Sequence, residues 1–362
     1  MKLNRRAVII AILLLFCLII HIYSSNEERV ETGYSIHFFV QFSHFLRILF
    51  GKITFSIGDF FYGLLAGWLI WKLGKFFTRV FRKQPGISKT SLFINALYRT
   101  IVFCCIIYIV FNVFWGINYD RKGIARQLDL KMEKYTNDDL REINRVLIDK
   151  INASKTELIT NKTTYPSNGE LFNMVSDAYK NIAGIYPFLE YRNASIKSSM
   201  WGWLGNYTGF TGYYNPFTGE AQLNTTIPKF LQPFVACHEV AHQLGYAKEM
   251  EANFVGYLAA SSSDNSLFHY SVYLDMFAYA NRNLYFTDST AAKSFRKLLS
   301  VPVIADLKEW AEFNRKHQSI AEPVVRFIYG IYLQGNKQPE GILSYDEVTG
   351  FIIAYYKKFG KI

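Results

Sequence analysis

The chain has 362 residues, half of them hydrophobic, with 31 Phe and 25 Tyr and a formal charge of +11. Residues 1–116 hold 13 Lys or Arg against four acids, whereas the remaining 246 hold 27 against 25. The larger part therefore lacks the basic footprint of a nucleic-acid binder, and four cysteines, three of them in apolar runs, exclude a disulfide framework.

In chain order, a basic start through Arg6 precedes an apolar run at about 7–23. No small-x-small cleavage signal lies before Ser24, so an uncleaved anchor is expected. Residues 34–50 set His37, Gln41, His44 and Arg47 on one helical face and Phe38, Phe42, Phe45, Leu46 and Leu49 opposite. That pattern predicts an amphipathic helix on a membrane surface or packed on the next span, with its polar face in water.

Residues 53–77 form a second expected span, with Asp59 near its start, and 92–115 a third. The intervening 72–89 carries Lys72, Lys75, Arg79, Arg82, Lys83 and Lys89 and no acid. The excess of basic residues on cytoplasmic loops places this loop and the N-terminus inside the cell. The expectation is a multi-pass inner-membrane protein with the bilayer as partner: a membrane domain over 1–116 and an extracytoplasmic domain over 117–362.

The second part reads as globular and mostly helical. Thr136-Asn-Asp-Asp139 opens a helix to about Ser154 in the manner of a capping box, and another helix covers about 170–182. Residues 207–226 are rich in glycine and aromatics around Asn215-Pro-Phe-Thr-Gly219 and predict a β-hairpin. A buried helix over 230–244 has Pro233 in its first turn and stops at Gly245, and a new one begins near Lys248. Further helices are expected at about 266–283, 288–299, 302–317, 319–334 and 346–359. The fold class is α+β, mainly α, with one small sheet or hairpin beside the 230–244 helix.

That helix carries His238-Glu239-x-x-His242. Two imidazoles four residues apart share one helical face and can reach one ion, and Glu239 sits beside it as a base. Zinc in such sites takes a third protein ligand. Glu249 and Glu251 both follow the Gly245 bend but are about 200° apart on a helix, so only one can bind. Glu249 is favoured because Asn253 shares its face and can brace it; Glu251 is the alternative. Cys237, next to His238, reads as a small core residue.

His238-Glu-x-x-His242 followed by Glu249-x-x-Ala-Asn253 resembles the gluzincin metallopeptidases, whose third zinc ligand opens a Glu-x-x-Ala-Asp/Asn helix. The interval from His242 to Glu249 is short for that group. Ser56-Ile-Gly-Asp59, Trp115-Gly-Ile-Asn-Tyr119 and Gly212-Tyr-Tyr-Asn-Pro-Phe-Thr-Gly-Glu220 further resemble an uncharacterised bacterial family of three-span membrane proteins with an exported HExxH domain. The gluzincin resemblance implies a zincin-like domain, Zn²⁺ as cofactor, and hydrolysis of peptide bonds with Glu239 as general base, the substrate being either a peptide or a protein segment near the membrane. An oxyanion donor would come from Tyr213, Tyr214, His269 or Tyr273. The alternative is a non-catalytic binding or transport-accessory protein that keeps the metal helix as structure.

Overall fold

A computed structural model describes residues 5–81, 89–345 and 347–362. Arg82 and Lys83 of the basic loop, and Asp346 at the expected start of the last helix, lie outside the described residues.

Among the described residues two helices are long and apolar enough to cross a membrane: α1, Arg5–Ser24, and the Thr90–Phe114 part of α5, Lys89–Phe114. The second expected span, at 53–77, corrects to a weaker element. Helix α4, Ile57–Phe81, has ample length but falls below that standard, because Asp59, two lysines and four glycines dilute its apolar content. Helices α1 and α5 run parallel, with Arg6 over the Tyr98 ring at one end and Ile20 clustered with Trp115 at the other. Helix α4 runs antiparallel to α5, pairing Trp68 with Phe103 and Phe76 with Phe93.

Between α1 and α4, α2 (Glu27–Arg29), a π-helical stretch (Val30–Phe38) and α3 (Phe39–Phe50) follow one another. The polar face expected to be solvated is split. His37 and Gln41 are exposed, whereas Arg47, with Ser35 and Ser43, is buried against the C-terminal part, and Phe38, Phe45, Ile48 and Leu49 face outward. The Ser43 hydroxyl and Arg47 Nη1 donate to the Gln243 carbonyl at 3.0 and 3.2 Å, and Arg47 Nε to that of Arg192 at 3.1 Å.

After a short helix α6, Gly123–Gln127, the C-terminal part is built on α7, Asn137–Thr160, and α8, Asn168–Ile185. The capping box at Thr136 forms with Asp139 in its third position, and Ser167 with Glu170 makes a second one. Along α7, Leu140, Ile143, Leu147, Ile151 and Leu158 recur at helical spacing and are buried. Each such side chain contributes about 1.5–3 kcal/mol of burial.

The sheet has three short strands in the order β1 (Ile196–Ser198), β3 (Glu220–Leu223), β2 (Gly212–Asn215). The β2–β3 pair is the expected hairpin, with Tyr213 opposite Gln222 and Tyr214 opposite Ala221. Strand β1, parallel to β3, was too short to show an alternating pattern in the sequence. Strand β2 is an edge. Helix α9, Gly202–Thr208, lies between β1 and β2.

Helix α10, Gln232–Gln243, is buried over its whole length. It packs on β3 and on α12, Ser266–Thr287, where the Ser271 hydroxyl accepts from the Phe234 amide at 3.1 Å. Cys237 is fully buried beneath it, and its carbonyl accepts from the Tyr179 hydroxyl at 2.6 Å. Gly245 takes φ +88°, a conformation costly for any side-chain-bearing residue, and turns the chain into α11, Glu249–Ser261. Helices α13 (Ser289–Arg296), α14 (Val301–Lys316), α15 (Ala321–Gly335) and α16 (Val348–Phe359) complete the fold.

Candidate metal centre

Helix α10 presents His238 and His242 one turn apart, with ring centroids 4.7 Å from each other. His242 Nδ1 donates to the Tyr246 carbonyl at 2.7 Å, which turns Nε2 to the site. The Gly245 bend supplies that carbonyl, so one turn both ends the helix and fixes the tautomer. Asn253, one turn beyond Glu249 on α11, interacts with His238, the other imidazole.

Glu249, at the first turn of α11, brings Oε2 to 3.3 Å from His238 Nε2 and 3.5 Å from His242 Nε2. Two donors each bound at 2.0–2.1 Å to one tetrahedral zinc stand roughly 3.3–3.4 Å apart. The observed separations therefore outline two edges of such a tetrahedron. Glu249 Oε2 is buried and makes no hydrogen bond, as is Glu239 Oε2, so both oxygens are available to an ion or a water. The donor atoms of His238, Glu239 and His242 also lie within 4.8 Å of one another and could hold a metal ion. Two carboxylates thus flank the histidine pair. The 3.3 and 3.5 Å contacts set Glu249 against both imidazoles, with Glu239 on the same helix as the histidines.

Glu251 points elsewhere. Its carboxylate lies against the backbone of Gly123 and in the field of Arg121, on the far side of α11. Arg121 instead braces the bend: Nη1 donates to the Gly245 carbonyl at 3.2 Å, while Nε and Nη2 grip Glu31 at 3.0 and 2.8 Å. Tyr329 of α15 donates its hydroxyl to Glu249 Oε1 at 2.7 Å, and the Glu249 amide donates to Gln338 Oε1 at 2.9 Å. Both oxygens of Glu249 are therefore positioned, one by a phenol and one by the imidazoles.

Burial governs ionisation here. It pushes the Glu239 carboxyl up to about 8 and the His238 imidazole down. Burial alone would also lower His242, but the neighbouring Glu249 charge outweighs it and the imidazole rises to about 9. Burial would raise Glu249 as well; His242 and then His238 overcome that and hold the carboxylate well below its usual range.

The three stretches flagged in the sequence without a role converge on this helix and on the hairpin packed against it. Trp115, the residue after α5, packs its ring 4.7 Å from Tyr214 and 5.9 Å from His242. Gly212 on β2 lies directly over Glu239, since a Cβ there would stand 2.6 Å from Oε1 and 2.8 Å from Cγ. At the other end of the hairpin, the buried Glu220 carboxylate accepts from the Ile57 and Gly58 amides at 3.2 and 2.6 Å, capping the first turn of α4.

Tyr213 and Tyr214 do not face the histidines with their hydroxyls. Strand alternation sends Tyr213 to the opposite face, where it donates to the buried Asp59 carboxylate, which also accepts from the Met200 amide at 2.5 Å. Tyr214 packs against Trp115 with its ring tilted by 55°. His269 and Tyr273 pack on each other, with Tyr273 under Lys150 of α7. The phenol at the site is that of Tyr329, which no motif marked among 25 tyrosines. Arg121 carried a faint signal, two residues beyond the Trp115–Tyr119 stretch.

The family profile described as "Protein of unknown function (DUF3810)" matches residues 34–353. The chain belongs to that family. All three converging stretches and the His238–Asn253 segment fall within the matched range. No curated protein and no solved structure matches the chain.

Proposed function

We propose that the chain is a membrane-anchored, zinc-dependent metallopeptidase whose site faces the extracytoplasmic side. The observation that carries the reading is the placement of Glu249 Oε2 at 3.3 and 3.5 Å from two imidazole nitrogens, an arrangement sized for a tetrahedral ion. His238, His242 and Glu249 would hold zinc, with Tyr329, the Tyr246 carbonyl and Asn253 orienting them. Bound zinc would polarise a peptide carbonyl and acidify water beside Glu239.

The chain's own groups then have separate tasks. With the ion's charge offsetting its burial, Glu239 would be ionised and would take a proton from that water and return it to the departing amine. The Tyr329 hydroxyl gives its one proton to Glu249 Oε1, so it would donate toward an oxyanion only by releasing that bond. The edge of β2, running over Glu239, offers free backbone groups for strand pairing with an extended peptide.

Membrane topology is supported by helix direction. With α1 and α5 parallel and both long enough to cross, the chain must return between them, and α4 is the antiparallel helix that does so. If α4 also crosses, the basic residues at the α4–α5 end favour a metal centre outside the cytoplasm.

The test is zinc content and proteolysis of the full-length chain in detergent, wild type beside Glu239→Gln. One zinc per chain in both forms, with cleavage lost in the variant, is expected. Absence of zinc in both would overturn the metal assignment. Zinc in both with no peptide cut by either would favour the accessory role instead.

A further inference from the structure

Helix α15 has two faces of unlike character. Tyr329, Tyr332 and Leu333 turn inward, toward Glu249 and the end of α5, where Tyr332 packs 6.1 Å from Phe111. On the other side Val324, Phe327, Ile328 and Ile331 form an outward stripe at helical spacing, with Phe327 69 % and Ile328 61 % exposed. Helix α9 packs beside α15 and exposes Trp203 and Leu204 in the same way. A water-facing surface of this size and composition would be an aggregation liability.

The neighbours of these helices say what covers the surface. The Trp201 indole N–H, just before α9, donates to the Asp59 carbonyl in the first turn of α4 at 3.1 Å. Phe217, at the hairpin tip, contacts Phe61 and Tyr62 of α4 and Phe114 of α5. The apolar faces of α9 and α15 are therefore level with the outer ends of the membrane helices, whose own Phe60 and Leu64 are exposed beside them. Aromatic residues at that level are what a bilayer interface selects. A pocket of about 340 Å³ opens there, lined by Tyr62, Trp201, Leu204, Phe210, Gly212 and Tyr213. Its Gly212 wall is the residue that lies over Glu239.

We propose that α9 and the outward stripe of α15 lie in the outer leaflet, and that this pocket receives the apolar part of a membrane-anchored peptide from the leaflet. The placement rests on the membrane-anchored peptidase reading for the nature of the substrate, but not for the position of the helices. It restricts the substrate to chains held in the same bilayer, with the bond to be cut just above the lipid surface.

The experiment uses the full-length Glu239→Gln chain, with Cys17, Cys104 and Cys105 replaced by alanine, in phosphatidylcholine–phosphatidylglycerol vesicles. Nitroxides are placed at Phe327→Cys and Ile331→Cys, with Leu64→Cys on α4 as the lipid reference. Relaxation by oxygen should dominate at both α15 positions as at the reference; relaxation by an aqueous nickel chelate at the level of a solvent-exposed label would overturn the placement. A benzophenone at Leu204→Cys should capture a single-span peptide with a short outer tail, and at least about tenfold less of the same tail without its anchor. Equal capture of the two, or capture of neither, would overturn the pocket assignment. Because neither readout needs turnover, a failure of the peptidase reading shows separately, as wild type that leaves the captured peptide uncut.

Discussion

Glu220→Ala should loosen the attachment of α4 to the metal-bearing part by a predictable amount. The carboxylate is wholly buried and accepts four hydrogen bonds: from Ile57 N at 3.2 Å, Gly58 N at 2.6 Å, Thr218 Oγ1 at 2.9 Å and Gln222 Nε2 at 3.1 Å. Truncation leaves four donors around the vacated space. A buried donor without a partner costs about 1–3 kcal/mol, and water entering the gap recovers part of that. A net loss of about 4 kcal/mol is expected. Glu220→Gln keeps the shape and one acceptor oxygen but turns an amide toward donors, for roughly half that loss. In thermal unfolding of the full chain in detergent, at about 2 °C per kcal/mol, the alanine variant should melt about 8 °C lower. Hydrogen exchange at the Ile57 and Gly58 amides should accelerate with it. Melting within about 2 °C of wild type with both amides still protected would refute the reasoning, because the carboxylate would then not be what satisfies them.

Other outcomes follow from the same geometry. Gly212→Ala should retain zinc, since it touches none of the three ligands, yet shift Glu239 by nearly an ångström and lower kcat/KM about 100-fold; loss of zinc, or unchanged turnover, would contradict this. Tyr329→Phe removes the hydrogen bond to Glu249 Oε1 and should weaken zinc binding about 10–100-fold in chelator competition, and an unchanged affinity would exclude the phenol from that role. Burial raises Asp275 to about 8, and its Oδ2 has no hydrogen bond. An acid whose folded value exceeds its unfolded one, about 3.9, penalises folding progressively as pH rises between the two. Asp275→Asn should therefore stabilise the chain more at pH 8.5 than at pH 5, by up to several kcal/mol in denaturant titrations; a gain independent of pH would rule this out.

Much of the frame was legible because its signals are local. The capping box at Thr136, Pro233 in the first turn of α10 and the left-handed Gly245 each act within a few residues, and the helices they delimit fall within a few residues of expectation. The His238–His242 spacing is of the same kind. What escaped were features made by distant pairs. Strand β1 exists only because β3 is there to pair with it. Arg47 read as a solvated residue because its partners, the Gln243 and Arg192 carbonyls, lie well over a hundred positions away. Tyr329 and Arg121 reach the site from elements whose own patterns are unremarkable. Helix α4 is weaker as a span than α1 and α5 for a different reason: its glycines and charges lower its average apolar content.

The way α3 seals the far end of the metal helix has a consequence for biosynthesis. Ser43 and Arg47 close the Gln243 carbonyl, Phe39 packs on Gly245, and the α4 amides complete the Glu220 shell. All of these donors emerge from the ribosome at least 160 residues before the groups they serve. Helices α3 and α4 thus act as a template on which the later segment matures. A secreted fragment starting near Ile117 would meet open carbonyls and bare aromatic faces where that template should be, and would have no ordered route to a finished ligand set.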